Sequence, residues 1–244
     1  MLYYPERLPR ELPPPRWAGP CEETWLTCED GVPIHALWWP EPAGAPALLF
    51  LHGNAQEAYS WSLVRGELQP LGCRMLLPDY RGYGKSGGEP TEEGLYRDGR
   101  AALKRLADLG LQDREVVVFG KSLGGAVACE IARGRDLRAL ILESTFSSLA
   151  AVAHHLFPGL PAGTELPESY ASIDKVAELR CPVLVIHGDR DELIPLEEGL
   201  ALYEAAPQPK RLWVVEGAGH NDVSLVAGQA YAERIAAFLR EHAP

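Results

Sequence analysis

The sequence predicts an α/β fold: a mostly parallel eight-stranded sheet with helices on both faces. Three observations carry this. Six short runs, at 47–51, 73–78, 115–119, 137–142, 182–187 and 212–215, are dominated by apolar residues. Strands buried on both faces read this way, and they belong to parallel sheets. Helix-like amphipathic segments at 57–69, 93–109, 123–133, 197–206 and 223–242 separate or follow these runs, the alternation expected of βα units. Ahead of them, two alternating segments at 23–28 and 33–39 flank Asp30-Gly31, a hairpin signal that supplies the other two strands.

Residues 1–22 are rich in proline and are expected to run extended over the surface. Residues 23–244 then read as a single domain. About forty residues separate the runs ending at Leu142 and beginning at Pro182, longer than any other interval in the βα rhythm. They hold a helix-like stretch, 146–157, and a turn-rich one, 158–167. A short lid over 144–180 is expected there, above the carboxyl ends of the strands.

Of the 244 residues 46% are apolar, enough for a large core, and the formal net charge is −11. Such a surface repels phosphate backbones and anionic headgroups, which argues against nucleic-acid partners. No run is long enough to span a bilayer, and charges and prolines interrupt the N-terminus where a signal peptide would be apolar. No stable membrane insertion and a cytoplasmic location are expected. The cysteines number five, an odd count, and read as reduced thiols; a Cys21–Cys28 bridge would need an oxidising compartment. No His, Cys, Asp or Glu set has metal-ligand spacing, so no metal and no cofactor are expected.

Gly120-Lys121-Ser122-Leu123-Gly124 carries the chemistry. A nucleophilic serine must sit on a sharp strand-to-helix turn, and glycines two before and two after it let strand and helix approach. The run Val116-Val117-Val118-Phe119 precedes the motif and Gly125-Ala126-Val127-Ala128 follows it, supplying that strand and helix. Ser122 is therefore the candidate nucleophile.

Such a serine needs a general base, and the base needs an orienting carboxylate. His220, in the glycine loop Gly217-Ala218-Gly219 after the last strand run, can swing over the serine. His187 ends a strand run and reads as structural, and His154 and His155 fall in the lid. For the acid, Asp191 lies further into the loop after 182–187 than Asp189, which suits a turn bond; Glu143, at the end of the preceding strand run, is the reserve. Backbone N–H groups of Leu123 and Asn54, the latter in the loop after 47–51, are placed to form an oxyanion hole. The chain's two asparagines, Asn54 and Asn221, both fall in these loops. Tyr59, Trp61, Phe146, His155 and Phe157 are expected to line a substrate pocket.

Leu51-His52-Gly53-Asn54, Asp79-Tyr80-Arg81-Gly82-Tyr83-Gly84-Lys85-Ser86, Gly120-Lys121-Ser122-Leu123-Gly124-Gly125, Glu143-Ser144-Thr145-Phe146, His187-Gly188-Asp189-Arg190-Asp191 and Gly219-His220-Asn221 occur in that order. From about residue 23 onward the chain resembles the α/β-hydrolase superfamily, and most the small-lid branch that includes depalmitoylase-like serine hydrolases. The resemblance implies the α/β-hydrolase fold and esterase or thioesterase chemistry on small-molecule acyl esters or thioesters, with Ser122, Asp191 and His220 as triad. Many relatives in that branch carry an N-terminal membrane anchor that this sequence lacks, which tells against membrane-bound acyl-protein substrates. A peptidase or amidase on the same residues, and a non-catalytic binder, are the competing readings.

Gly82-Tyr83-Gly84-Lys85-Ser86-Gly87 also fits the G-x-G-x-x-G dinucleotide fingerprint. That motif should open a helix in the first βαβ unit, and here Gly88-Glu89-Pro90 intervenes. The loop reads instead as a brace for the oxyanion side.

Overall fold

In the computed structural model, which describes residues 2–161 and 163–242, Asp30-Gly31 turns the chain as its sequence requires. Gly31 adopts a φ of +80°, and strands β1 (Glu22–Thr27) and β2 (Pro33–Trp39) pair antiparallel on either side of it. The six apolar runs become β3 (Ala47–Leu51), β4 (Arg74–Pro78), β5 (Val116–Lys121), β6 (Ala139–Glu143), β7 (Val183–Gly188) and β8 (Lys210–Val215). They join one eight-stranded sheet in the order β1-β2-β4-β3-β5-β6-β7-β8. From β4 to β8 all pairings are parallel; β2 meets β4 antiparallel.

Why the central runs are so rich in apolar residues is visible in β5. Val116 and Val118 face one core and Val117 and Phe119 the other, all four at most 2% exposed. Full burial of each such side chain contributes about 1.5–3 kcal/mol, so both faces drive the strand inward. The first core packs against α3 (Glu92–Asp108), α4 (Leu123–Ala132), α6 (Ser172–Val176) and α7 (Leu196–Ala205). The second packs against α1 (Ala58–Trp61), α2 (Val64–Leu68), α8 (Val223–Ala227) and α9 (Ala230–Glu241). Between β6 and α6 the lid segment carries α5 (Leu149–Leu156).

Several expectations are corrected. Segment 57–69 is not one helix: the Ser62 hydroxyl donates to the Tyr59 carbonyl at 2.6 Å, and the chain breaks between α1 and α2. A side chain competing for a helix carbonyl ends the run. Segment 223–242 breaks at Gly228, whose φ of +54° separates α8 from α9. The short α6 has no periodic signal in the sequence.

The proline-rich start is mostly extended, apart from a 3₁₀ turn at Arg16–Ala18, and it is anchored. Tyr3 is buried and its hydroxyl lies 2.6 Å from that of Tyr170, on the lid side. The Leu8 N–H donates to the Gly84 carbonyl and the Gly84 N–H to that of Glu6. Ala18 is buried, its carbonyl accepting from the Trp39 indole. All five cysteine thiols are free, and burial pushes those of Cys28, Cys129 and Cys181 up to about 12. Among the described residues no helix is long and apolar enough to cross a membrane.

Candidate active site

At the carboxyl end of β5 the chain turns into α4 through Ser122, whose φ of +53° is a strained value for a residue with a Cβ. Three glycines make the turn sterically feasible. A Cβ on Gly120 would collide with the Gly124 carbonyl, one on Gly124 with that of Leu51, and one on Gly125 with the Thr145 side chain. The strained residue is held from outside. Its N–H donates to the Glu143 carbonyl (2.9 Å), and its own carbonyl accepts from the Thr145 hydroxyl (2.7 Å).

The loop after β8 brings His220 to this turn, with Nε2 3.1 Å from the Ser122 Oγ. His220 Nδ1 lies 2.8 Å from Asp191 Oδ2. Asp191 is buried, and its other oxygen accepts from the N–H groups of Leu193 (3.0 Å) and Ile194 (2.8 Å). Burial alone would raise the Asp191 carboxyl; the bond from His220, its charge and the loop N–H donor outweigh burial and hold it below the ordinary value. An ionised carboxylate only accepts, so Nδ1 carries the proton and the Nε2 lone pair faces the serine hydroxyl.

The two other acid candidates are engaged elsewhere. Asp189 caps the turn before the histidine, accepting from the Gly217 N–H at 2.6 Å. Glu143 is buried, ion-paired with Lys121 and accepting from the Tyr231 hydroxyl at 2.6 Å. His187 is fully buried, with Nε2 2.8 Å from the Ile194 carbonyl, so it steadies the loop that bears Asp191.

Asn54 lies beside the elbow: a Cβ on neighbouring Gly53 would sit 3.7 Å from the Ser122 Cβ. The Asn54 side chain is consumed. Its Nδ2 donates to the Leu2 carbonyl (2.6 Å), and its Oδ1 accepts from the Tyr83 hydroxyl (2.7 Å) and the Tyr4 N–H (3.3 Å). Among the described residues the backbone N–H groups of Asn54 and Leu123 find no acceptor. The loop at 82–87 thus braces Asn54 through Tyr83, and no helix opens on its glycines.

A cavity of about 1210 Å³ opens over Ser122, lined also by Asn54, Leu123 and His220. One wall is apolar and comes from the lid, with Leu149, Val152 and Phe157. Glu67 on α2 and Ser224 on α8 also line the cavity. Of the five expected pocket residues, Trp61, Phe146 and Phe157 line the cavity. Tyr59 and His155 do not. Tyr59 is buried, its hydroxyl 2.7 Å from the Leu12 carbonyl and 2.6 Å from a Glu23 carboxylate oxygen; His155 is exposed and bonds the Glu192 carbonyl at 3.0 Å.

Sequence reasoning missed Lys121, Tyr231 and the N-terminal Leu2 and Tyr4, all of which line the cavity. Lys121 could have been found: a lysine closing an apolar strand demands a buried partner. Nothing local announces Leu2 or Tyr4. Among the described residues no group of three or more His, Cys, Asp or Glu side chains could hold a metal.

Residues 48–174 match the model of the alpha/beta hydrolase family. An uncharacterised Mycobacterium tuberculosis protein is 40% identical over 218 residues, 88% of this chain and 78% of that one. Human alpha/beta hydrolase domain-containing protein 17C is 38% identical over 206 residues, covering 83% of this chain but only 60% of its own length. A Pyrococcus furiosus esterase superposes with a TM-score of 0.79 over 100% of this chain and 99% of that one; at 22% identity the likeness shows the fold. By the family match and these relatives, the chain belongs to the alpha/beta hydrolase family.

Proposed function

We propose that the protein is a serine hydrolase that cleaves small-molecule carboxylic esters or thioesters through an acyl-enzyme intermediate. One observation carries the reading: the unbroken hydrogen-bonded chain from the Ser122 hydroxyl through His220 to Asp191, opening into a cavity with an apolar wall. His220 Nε2 takes the Ser122 proton as Oγ attacks the carbonyl carbon, and Asp191 stabilises the imidazolium that forms. The Asn54 and Leu123 N–H groups, spent on no acceptor among the described residues, receive the developing oxyanion. The imidazolium then protonates the departing alkoxide or thiolate, and water repeats the sequence to release the acid. The wall from α5 suits an acyl chain.

A fluorophosphonate probe tests this directly. The wild type should label at Ser122 and Ser122→Ala should not, with both folded by circular dichroism. A folded wild type that resists the probe would overturn the reading. p-Nitrophenyl acyl esters and acyl thioesters should be turned over faster than the matching anilides; the reverse order would move the assignment to an amidase.

A further inference from the structure

The residue immediately before the nucleophile does something the serine relay leaves unexplained. Lys121 ends a strand whose every position is buried, and its side chain is only 10% exposed. Its ammonium is ion-paired with Glu143, itself 3% exposed. The second Glu143 oxygen accepts from Tyr231, whose hydroxyl burial and that carboxylate push far above the ordinary value, keeping it a donor. Removing two charges from water is costly, and apolar side chains of similar size would hold the fold as well. The cluster therefore calls for a role beyond stability.

A further contact supplies it. Lys121 Nζ also donates to the main-chain carbonyl of His220 at 3.3 Å. His220 ends a Gly217-Ala218-Gly219 run, whose two glycines have more conformational freedom than any other residue type. The loop has its own ties, Gly217 to Asp189, Gly219 to Asp222 and the Ala218 carbonyl to the Arg190 N–H, but none of them holds the His220 carbonyl. Among the described residues Lys121 is the one side chain that grips the His220 carbonyl.

We propose that Lys121 is a positioning residue for His220: anchored by Glu143 and Tyr231, its ammonium holds the histidine backbone so that Nε2 stays in register with Ser122. Three strand ends and a helix thereby converge on one carbonyl: Lys121 on β5, Glu143 on β6, the loop leaving β8, and Tyr231 on α9. The elbow and the base loop, far apart in sequence, are fastened through the residue that precedes the nucleophile. The proposal rests on His220 being the base for Ser122.

The test is Lys121→Met/Glu143→Gln, which removes both charges together and leaves no unpaired buried ion. On a short-chain p-nitrophenyl ester we expect kcat to fall about 10- to 100-fold, as misplacement of a catalytic group does, with KM within about twofold. Labelling at Ser122 should slow in parallel, and Lys121→Arg, which keeps a donor and a charge, should recover most of the rate. Tyr231→Phe deletes only the anchor hydroxyl and should lower kcat about two- to fivefold without unfolding the chain. Wild-type kcat and labelling in both the double variant and Tyr231→Phe would overturn the brace while leaving the serine reading intact. So would losses of activity that track loss of folded protein. A wild type that does not label would instead overturn the serine reading beneath it.

Discussion

The two sides of the cleft are built in opposite ways. The elbow is rigid and local: six consecutive residues from Gly120 to Gly125, three of them close-packed glycines, and a strained serine held by a backbone bond to the neighbouring strand. The rim is made of pieces distant in sequence. Leu2 and Tyr4 come from the start of the chain, Trp61 from α1, and Leu156 and Phe157 from the lid. Phe157 is 63% exposed and Tyr4 61%, whereas Leu123 at the elbow is 4%. Chemistry needs reacting atoms fixed to a fraction of an ångström. A rim that meets the rest of the substrate can rest on few contacts. The difference predicts that equal insults will cost very different amounts on the two sides.

Gly124→Ala should be the most damaging. The added methyl would collide with the Leu51 and His52 carbonyls, both backbone, and neither can swing aside. Overpacking of this kind costs about 3 kcal/mol, a drop of roughly 6–12 °C in Tm for a chain of this size. Activity should be lost beyond that, because Leu51 leads into the Asn54 loop. A Gly124→Ala protein with wild-type Tm and kcat would show that the elbow is not the rigid side.

Asp191→Asn comes next. It keeps the shape but removes the charge that fixes the His220 tautomer, and kcat should fall about 10³- to 10⁴-fold. Asp189→Asn, whose amide oxygen can still accept from the Gly217 N–H, only weakens a turn bond and should cost at most about 1 kcal/mol and little rate. The Asp191 carboxyl is depressed in the folded state. Its stabilising contribution is therefore present above about pH 4 and lost as the pH falls through the folded value. Thermal melts across pH 7 to 3 should show the wild-type advantage over Asp191→Asn shrinking below pH 4.

What the amino-acid sequence makes legible follows the same division. The central strands can be read because burial on both faces leaves few polar positions, as in Leu48-Leu49-Phe50. The elbow, His220 and the Asp191 loop can be read because each lies within a few residues of a strand end. The failures are at long range. Tyr59 looks like a pocket aromatic until the Leu12 carbonyl and the Glu23 carboxylate claim its hydroxyl from 47 and 36 residues away. His155 sits on the lid helix as expected, but helix phase turns it outward. The N-terminal segment shows only its prolines; that Tyr3 would reach Tyr170, 167 residues on, is written in neither neighbourhood.

That last pair gives the smallest expected effect on rate and the sharpest contrast with Gly124. The Tyr3 and Tyr170 hydroxyls, 2.6 Å apart and buried, tie the N-terminal segment to the lid. Burial raises both above the ordinary tyrosine value, so the pair stays neutral across the working pH range. Tyr3→Phe should leave the Tyr170 hydroxyl without this partner, at a cost of about 1–2 kcal/mol, or a Tm lower by roughly 2–8 °C. The double variant Tyr3→Phe/Tyr170→Phe replaces both polar partners with matching shape and should recover most of that loss. In both, kcat on a short-chain ester should stay within about twofold of wild type, because the tie fastens the rim and touches none of the Ser122 relay. A tenfold fall in kcat in the double variant with Tm restored would mean that the rim reaches the elbow, and the two sides would have to be treated as one mechanical unit.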